Sequence, residues 1–229
     1  MATRKAPWRR SPASIGDLFA GHSSMEATTR LADGAVVLRG FATAAGEALL
    51  AAIAAVAAEA PFRHMVTPGG FRMSVAMTNC GSAGWVTDRK GYRYQATDPE
   101  TGRPWPPIPP AFLALAADAA EAAGFAAFRP DACLINRYEP GTRLTLHQDR
   151  NERDFTQPIV SVSLGLPATF LFGGAERRDR PQRVPLVHGD VVVWGGASRH
   201  NFHGVAELAE GEHPETGALR YNLTLRKAL

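Results

Sequence analysis

A chain of 229 residues, 45% of them apolar, can bury a core; this excludes wholesale disorder and bounds the protein to one large domain or a domain with an appendage. Lys and Arg number 25 against 22 Asp and Glu, a net charge of +3 that suits a polyanionic partner without requiring one. Two cysteines, Cys80 and Cys133, are too few for a disulfide scaffold, and no apolar run reaches transmembrane length, so the expectation is a reduced, cytoplasmic protein with no membrane partner.

Residues 1–30 mix Arg, Ser, Pro and Gly without periodicity and read as a mobile basic tail, with Asp17, Leu18 and Phe19 docking locally. Lys5, Arg9 and Arg10 precede no apolar run, so the tail does not read as a secretory signal; a solvated tail is preferred to a nucleic-acid arm. Residues 31–229 read as a single domain. Gly34 to Phe41 is a strand bounded by glycines. Thr43 is placed to N-cap an Ala-rich helix over 44–60, stopped at Pro61 and burying Leu49, Leu50, Ile53 and Val56. Thr67 to Gly70 is a turn, and Phe71 to Asn79 a strand with Met73, Val75 and Met77 on one side. Trp85, Tyr92, Tyr94 and Trp105 then alternate with Arg89, Lys90, Arg93 and Arg103. Aromatic faces stack on bases and cations meet phosphates, but a hairpin packing its own aromatics has the same composition. Pro109 and Pro110 open a second helix over 111–123, closed by Gly124 and burying Phe112, Leu115 and Ala119.

After Pro130 the chain is strand-rich: 133–138, 143–146, 159–166, 169–172, 191–194 and 219–226, separated by Gly and Pro turns. Two helices and many short strands argue an α+β, mainly β fold of the jelly-roll type. His147 and Asp149 fall two residues apart in an extended stretch and so face one side. A second histidine would complete a two-His, one-carboxylate face with open coordination positions, the pattern of non-haem Fe(II) oxygenases. His203, beyond the Gly195-Gly196 break, is the candidate; His200 competes, and His64, His188 and His213 are weaker. The last strand alternates strictly: Arg220, Asn222, Thr224 and Arg226 share one face, Tyr221, Leu223 and Leu225 the other. Arginines facing inward need anions, and a carboxylate fits the guanidinium fork; a solvated edge strand is the alternative.

The motifs Asn136-Arg137-Tyr138, Leu144–Asp149 (LTLHQD), Ile159–Gly165 (IVSVSLG), Gly189–Gly196 (GDVVVWGG) and Arg220–Arg226 (RYNLTLR) resemble the AlkB family of Fe(II)- and 2-oxoglutarate-dependent dioxygenases. Met65–Gly70 (MVTPGG), Met73–Gly81 (MSVAMTNCG) and Asp131–Asn136 (DACLIN) extend the match, which runs in order from about Gly34 to Arg226 and favours the family's bacterial branch. The resemblance implies a double-stranded β-helix (130–229) with flanking N-terminal helices and a nucleotide-recognition lid (62–107). It implies Fe(II), 2-oxoglutarate and O2, with His147, Asp149 and His203 as metal ligands and Asn136, Tyr138, Arg220, Asn222 and Arg226 around 2-oxoglutarate, Arg220 at the distal carboxylate. It implies that Trp85 and the His147 ring sandwich a flipped base. Thr67, Met77, Tyr92, Arg93, Tyr94, Asn151 and Arg177 are the further substrate contacts. The activity implied is oxidative demethylation of bases such as 1-methyladenine and 3-methylcytosine in single-stranded DNA, with RNA and double-stranded DNA as further partners, by a monomer. The alternative is a hydroxylase of the same chemistry acting on a small molecule or protein. Asn151 stands where the bacterial branch carries an acidic residue, which leaves base preference open, and Asp88 replaces a basic residue near the lid.

Overall fold

The fold comes from a computed structural model, which describes residues 27–229. The expectations for Asp17, Leu18 and Phe19, and for all of the tail before residue 27, lie outside the described residues. Thr28–Arg30, read as tail in the sequence, instead open strand β1 (Thr28–Ala32), which pairs with β2 (Ala35–Leu38). After α1 (Gly46–Glu59) come β3 (Ala76–Gly81), β4 (Gly84–Asp88), β5 (Gly91–Gln95) and α2 (Pro110–Ala122). Eight strands follow: β6 (Ala132–Tyr138), β7 (Leu144–His147), β8 (Ile159–Gly165), β9 (Ala168–Phe172), β10 (Gln182–Leu186), β11 (Val191–Trp194), β12 (His203–Val205) and β13 (Arg220–Arg226).

The strands form a seven-stranded sheet in the order β1-β2-β11-β8-β13-β6-β3, a four-stranded sheet β10-β9-β12-β7, and the separate hairpin β4-β5. The pairings are antiparallel. Leu49, Ile53 and Val56 of α1 and Phe112, Ala116 and Ala119 of α2 pack on Val160, Val162, Leu223 and Leu225, so both helices cover the larger sheet from outside. Phe170, Phe172, Val184 and Trp194 fill one part of the interior, and Met77, Leu134, Tyr138 and Val205 another. This is the jelly roll that the strand pattern predicts.

Three local expectations are corrected. A 3-10 turn at Thr43–Ala45 precedes α1, so Ala45 takes the N-cap position, no side chain caps it, and Glu47 alone complements the helix dipole. The strand expected over 71–79 starts only at Ala76. Upstream, the backbone of Thr67 pairs with Phe71 (2.9 Å) and that of Met73 with Met65 (2.9 Å), so the segment folds on its own turn. The sequence reading contains no strand at Gln182–Leu186, where Pro185 argues against one; β10 is an edge strand, and an edge tolerates the missing N–H.

Candidate active site

The site lies between the sheets, in a cavity of about 290 Å³ lined by β6, β7, β8, β12 and β13 and by one side of the β4-β5 hairpin. β12 pairs with β7 so that His203 stands opposite His147, and the register shifts before Val205. Gly204 sits in that irregularity. A Cβ there would lie 2.6 Å from the Leu144 carbonyl oxygen, so only glycine lets the strands approach this closely. The two imidazole centroids are 4.4 Å apart. His147 Nε2 lies 4.0 Å from Asp149 Oδ1, and His203 Nε2 lies 3.7 Å from Asp149 Oδ2.

His147 Nδ1–H donates to the Thr145 carbonyl (2.8 Å) and His203 Nδ1–H to that of Asn201 (3.1 Å). Because a carbonyl only accepts, each Nε2 keeps its lone pair for a ligand. Burial and the neighbouring His147 ring pull the His203 pKa down to about 3, which keeps it neutral. Burial opposes the charge on Asp149, but the Arg226 guanidinium holds the carboxyl well below its usual range. Two imidazoles and a carboxylate, with one ligand atom each inside a 4.8 Å cluster, fit a divalent first-row metal. His200 does not line the cavity; its ring packs edge-on against Phe155 at 4.7 Å.

β13 delivers the arginines unequally. Arg226 Nε (2.9 Å) and Nη2 (2.8 Å) both fall on Asp149 Oδ2. Arg220, six residues earlier on the same face, is 1% exposed. Its Nη2 donates to Ser163 Oγ (3.1 Å) and its guanidinium carbon sits 4.9 Å from the Tyr138 ring centroid, but Nε and Nη1 meet no acceptor. Burial lowers its pKa. Asn136 Oδ1 is also buried without a donor. Asn222 is engaged, donating Nδ2–H to Ser161 Oγ (2.8 Å) and to the Val162 carbonyl (3.0 Å). Two buried guanidinium nitrogens without an acceptor at the wall of the cavity call for an anion. A small dicarboxylate with one end on Arg220 and the other at the His147–Asp149–His203 cluster fits this chemistry.

The hairpin supplies aromatic walls. Trp85 and Tyr92 stack at 5.6 Å and 19°, and both line the cavity with Thr67, Met77 and Asn151. Trp85 Nε1–H donates to Asn151 Oδ1 (3.1 Å). Arg93, Tyr94 and Arg177, expected at the nucleotide, stand outside the cavity. Arg93 forks onto Asp88 (3.0 and 2.8 Å), Tyr94 donates to Glu152 Oε1 (2.8 Å), and Arg177 lies over the Phe202 ring. Sequence reasoning missed Ser161, Ser163, Glu152 and Arg199. The two serines had a signal, since they alternate inside the apolar run 159–166; the buried ions had none.

The comparisons with known proteins agree with this geometry. The family model of the 2OG-Fe(II) oxygenase superfamily matches residues 34–226. Alpha-ketoglutarate-dependent dioxygenase AlkB of Salmonella typhimurium is 58% identical over 212 residues, 93% of this chain and 97% of its own length. A DNA N(6)-methyladenine demethylase of Arabidopsis thaliana, ALKBH1A, is 41% identical over 98 residues, 42% of this chain and 28% of its own length. The solved structure of OsALKBH1 superposes with a TM-score of 0.74 at 29% identity, covering 86% of this chain and all of that one. With the His147–Asp149–His203 cluster, the unpartnered Arg220 nitrogens and these matches in hand, the chain belongs to the 2OG-Fe(II) oxygenase superfamily and, within it, to the AlkB dioxygenases, which use Fe(II), 2-oxoglutarate and O2.

Proposed function

We propose that the protein repairs alkylated nucleic acid by oxidative demethylation of bases such as 1-methyladenine and 3-methylcytosine. Single-stranded DNA is the first substrate, and RNA and double-stranded DNA are further ones. The observation that carries the reading is that one cavity joins the His147–Asp149–His203 cluster to the stacked Trp85–Tyr92 wall. The names of the Salmonella and Arabidopsis relatives support the activity.

His147, Asp149 and His203 would hold the iron, Arg220 the distal carboxylate of 2-oxoglutarate, and Asn136, Tyr138 and Asn222 the walls around it. Bound there, Fe(II) with 2-oxoglutarate and O2 supplies the oxidation of the N-methyl carbon, after which the hydroxymethyl group leaves the base as formaldehyde. The chain's own task is placement. The Trp85 ring offers a π-face to a base that methylation has made cationic, and the His147 ring closes the other side. A lesion on the pairing edge has already lost its pairing, so flipping it out costs less than flipping a normal base. Apolar neighbours such as Met77, Leu134 and Phe170 line the same cavity. The proposal places the enzyme in the cytoplasm as a monomer; no helix among the described residues is long and apolar enough to cross a membrane.

Formaldehyde release from methylated oligonucleotides with Fe(II) and 2-oxoglutarate is the test. Release by the wild type and its loss in Asp149→Ala are expected. A silent wild type, or full activity in the variant, would refute the proposal.

A further inference from the structure

We propose that Glu152 is a latch between the lid hairpin and the metal-ligand carboxylate, so that docking of the hairpin and binding of the metal strengthen each other. The proposal rests on the metal-centre reading of His147, Asp149 and His203.

Glu152 has a side chain only 1% exposed, in the loop just after Asp149. Three groups converge on it. Tyr94, from β5 of the hairpin, donates its hydroxyl proton to Oε1 at 2.8 Å. Arg226 Nε lies 3.5 Å from the same oxygen. Arg199 Nη2 lies 3.3 Å from Oε2, an ion pair too poorly aligned for a hydrogen bond. Both arginines also hold Asp149. Arg226 does so at Oδ2, and Arg199 Nη1 donates to the Asp149 main-chain carbonyl at 3.1 Å. Two carboxylates and two guanidiniums thus close a neutral buried ring, a composition that makes burying four charges tolerable.

The hairpin enters this ring through a single oxygen. Burial keeps the Tyr94 phenol protonated, so it is a donor. With Tyr94 docked, Glu152 Oε1 has its hydrogen bond and Arg226 remains on Asp149 Oδ2, leaving Oδ1 toward His147. With Tyr94 withdrawn, a buried carboxylate oxygen lacks its closest donor. It then competes with Asp149 for Arg226 Nε, which is already only 0.6 Å farther from it (3.5 against 2.9 Å). A second tie lies one residue before Glu152, where Asn151 accepts from Trp85 of β4. The stretch 149–152 therefore runs from a metal ligand directly to two polar contacts of the hairpin, those of Tyr94 and Trp85. Linkage makes such coupling reciprocal: whatever factor the docked hairpin adds to metal affinity, the metal adds to docking.

The test needs no methylated substrate, so its failure is distinct from failure of the substrate assignment. Hydrogen exchange of the Gly84–Gln95 amides is measured in the free protein and with Mn(II) plus 2-oxoglutarate, and Mn(II) affinity is measured by calorimetry. In the wild type, Mn(II) with 2-oxoglutarate slows exchange in the hairpin. Tyr94→Phe removes one oxygen and keeps the ring. It is expected to reduce that slowing and to weaken Mn(II) binding by the same factor, about tenfold for a hydrogen bond to a buried charge, with β8 and β13 unchanged. A merely structural Tyr94 would speed hairpin exchange equally with and without metal and leave Mn(II) affinity alone. That result overturns the latch, and a wild type that binds no Mn(II) overturns it together with the metal-centre reading.

Discussion

Arg220 sets stability against function, and the conflict can be measured. In Arg220→Met the aliphatic stem keeps most of its volume while the guanidinium is lost. Two buried donor nitrogens without acceptors, Nε and Nη1, each cost about 1–3 kcal/mol. Against this relief stand the lost hydrogen bond to Ser163 Oγ, about 1.5–3 kcal/mol, and the contact with the Tyr138 ring, about 1–2 kcal/mol. The central values nearly cancel, with a balance of about 0–1 kcal/mol in favour of the variant, or about 0–4 °C in Tm for a chain of this size. Adding 2-oxoglutarate with Mn(II) reverses the order. At one hundred times its Kd the ligand adds about 2.7 kcal/mol to the wild type. Loss of a buried charge pair weakens binding by about 2–5 kcal/mol, so the variant gains at most about 0.9 kcal/mol at the same concentration. Melting curves with and without ligand, and calorimetry of 2-oxoglutarate binding, provide the assay. A variant clearly less stable than the wild type without ligand, yet shifted by 2-oxoglutarate as the wild type is, would refute the assignment of Arg220 to the anion.

The remaining predictions address the metal, the base and the hairpin. Chelation of the metal abolishes formaldehyde release and Fe(II) restores it, whereas Asp149→Ala is not restored; the variant also leaves Arg226 without its closest partner and loses about 3–5 kcal/mol, read as a fall in Tm. Because Trp85 engages Asn151 Oδ1, the amide keeps an N–H donor for a base carbonyl. Asn151→Asp is therefore expected to move kcat/KM by about tenfold toward 1-methyladenine relative to 1-methylguanine, and an unchanged ratio would count against it. Gly84→Ala would set a Cβ 2.4 Å from Trp105 Cε2 and 2.8 Å from Asn79 Cβ, costing about 1–3 kcal/mol, visible as a lower Tm and altered tryptophan fluorescence.

Periodicity carried most of the fold. The alternation in Arg220–Arg226 separates Leu223 and Leu225, which face the helices, from Arg220 and Asn222, which line the cavity, and the register with β6 and β8 preserves that division. Where a local signal failed, a longer-range contact decided. Thr43 has the right chemistry for an N-cap, yet its amide is turned back onto the Gly40 carbonyl (3.0 Å) and the helix starts a turn later. Pro185 excludes a central strand but not an edge, and only the sheet order distinguishes the two.

The site was legible to the same depth and no further. The pair His147 and Asp149 follows from a two-residue spacing, and alternation puts two arginines on one inward face. Nothing local distinguishes those arginines: they are the same residue type on the same strand face. Their neighbours separate them. At the Arg226 end, Asp149 and Glu152 arrive from the loop after β7 and absorb the charge. At the Arg220 end the neighbours are Ser163 and Tyr138, neither of them a carboxylate, and the charge is left open. The strand therefore acquires a polarity that its sequence does not display, with a satisfied cation beside the His147–Asp149–His203 cluster and an unsatisfied one at the far end. A dicarboxylate meeting this strand has one favourable orientation. On the proposed assignment its free end would answer Arg220, and its chelating end would lie on the side where Arg226 holds Asp149.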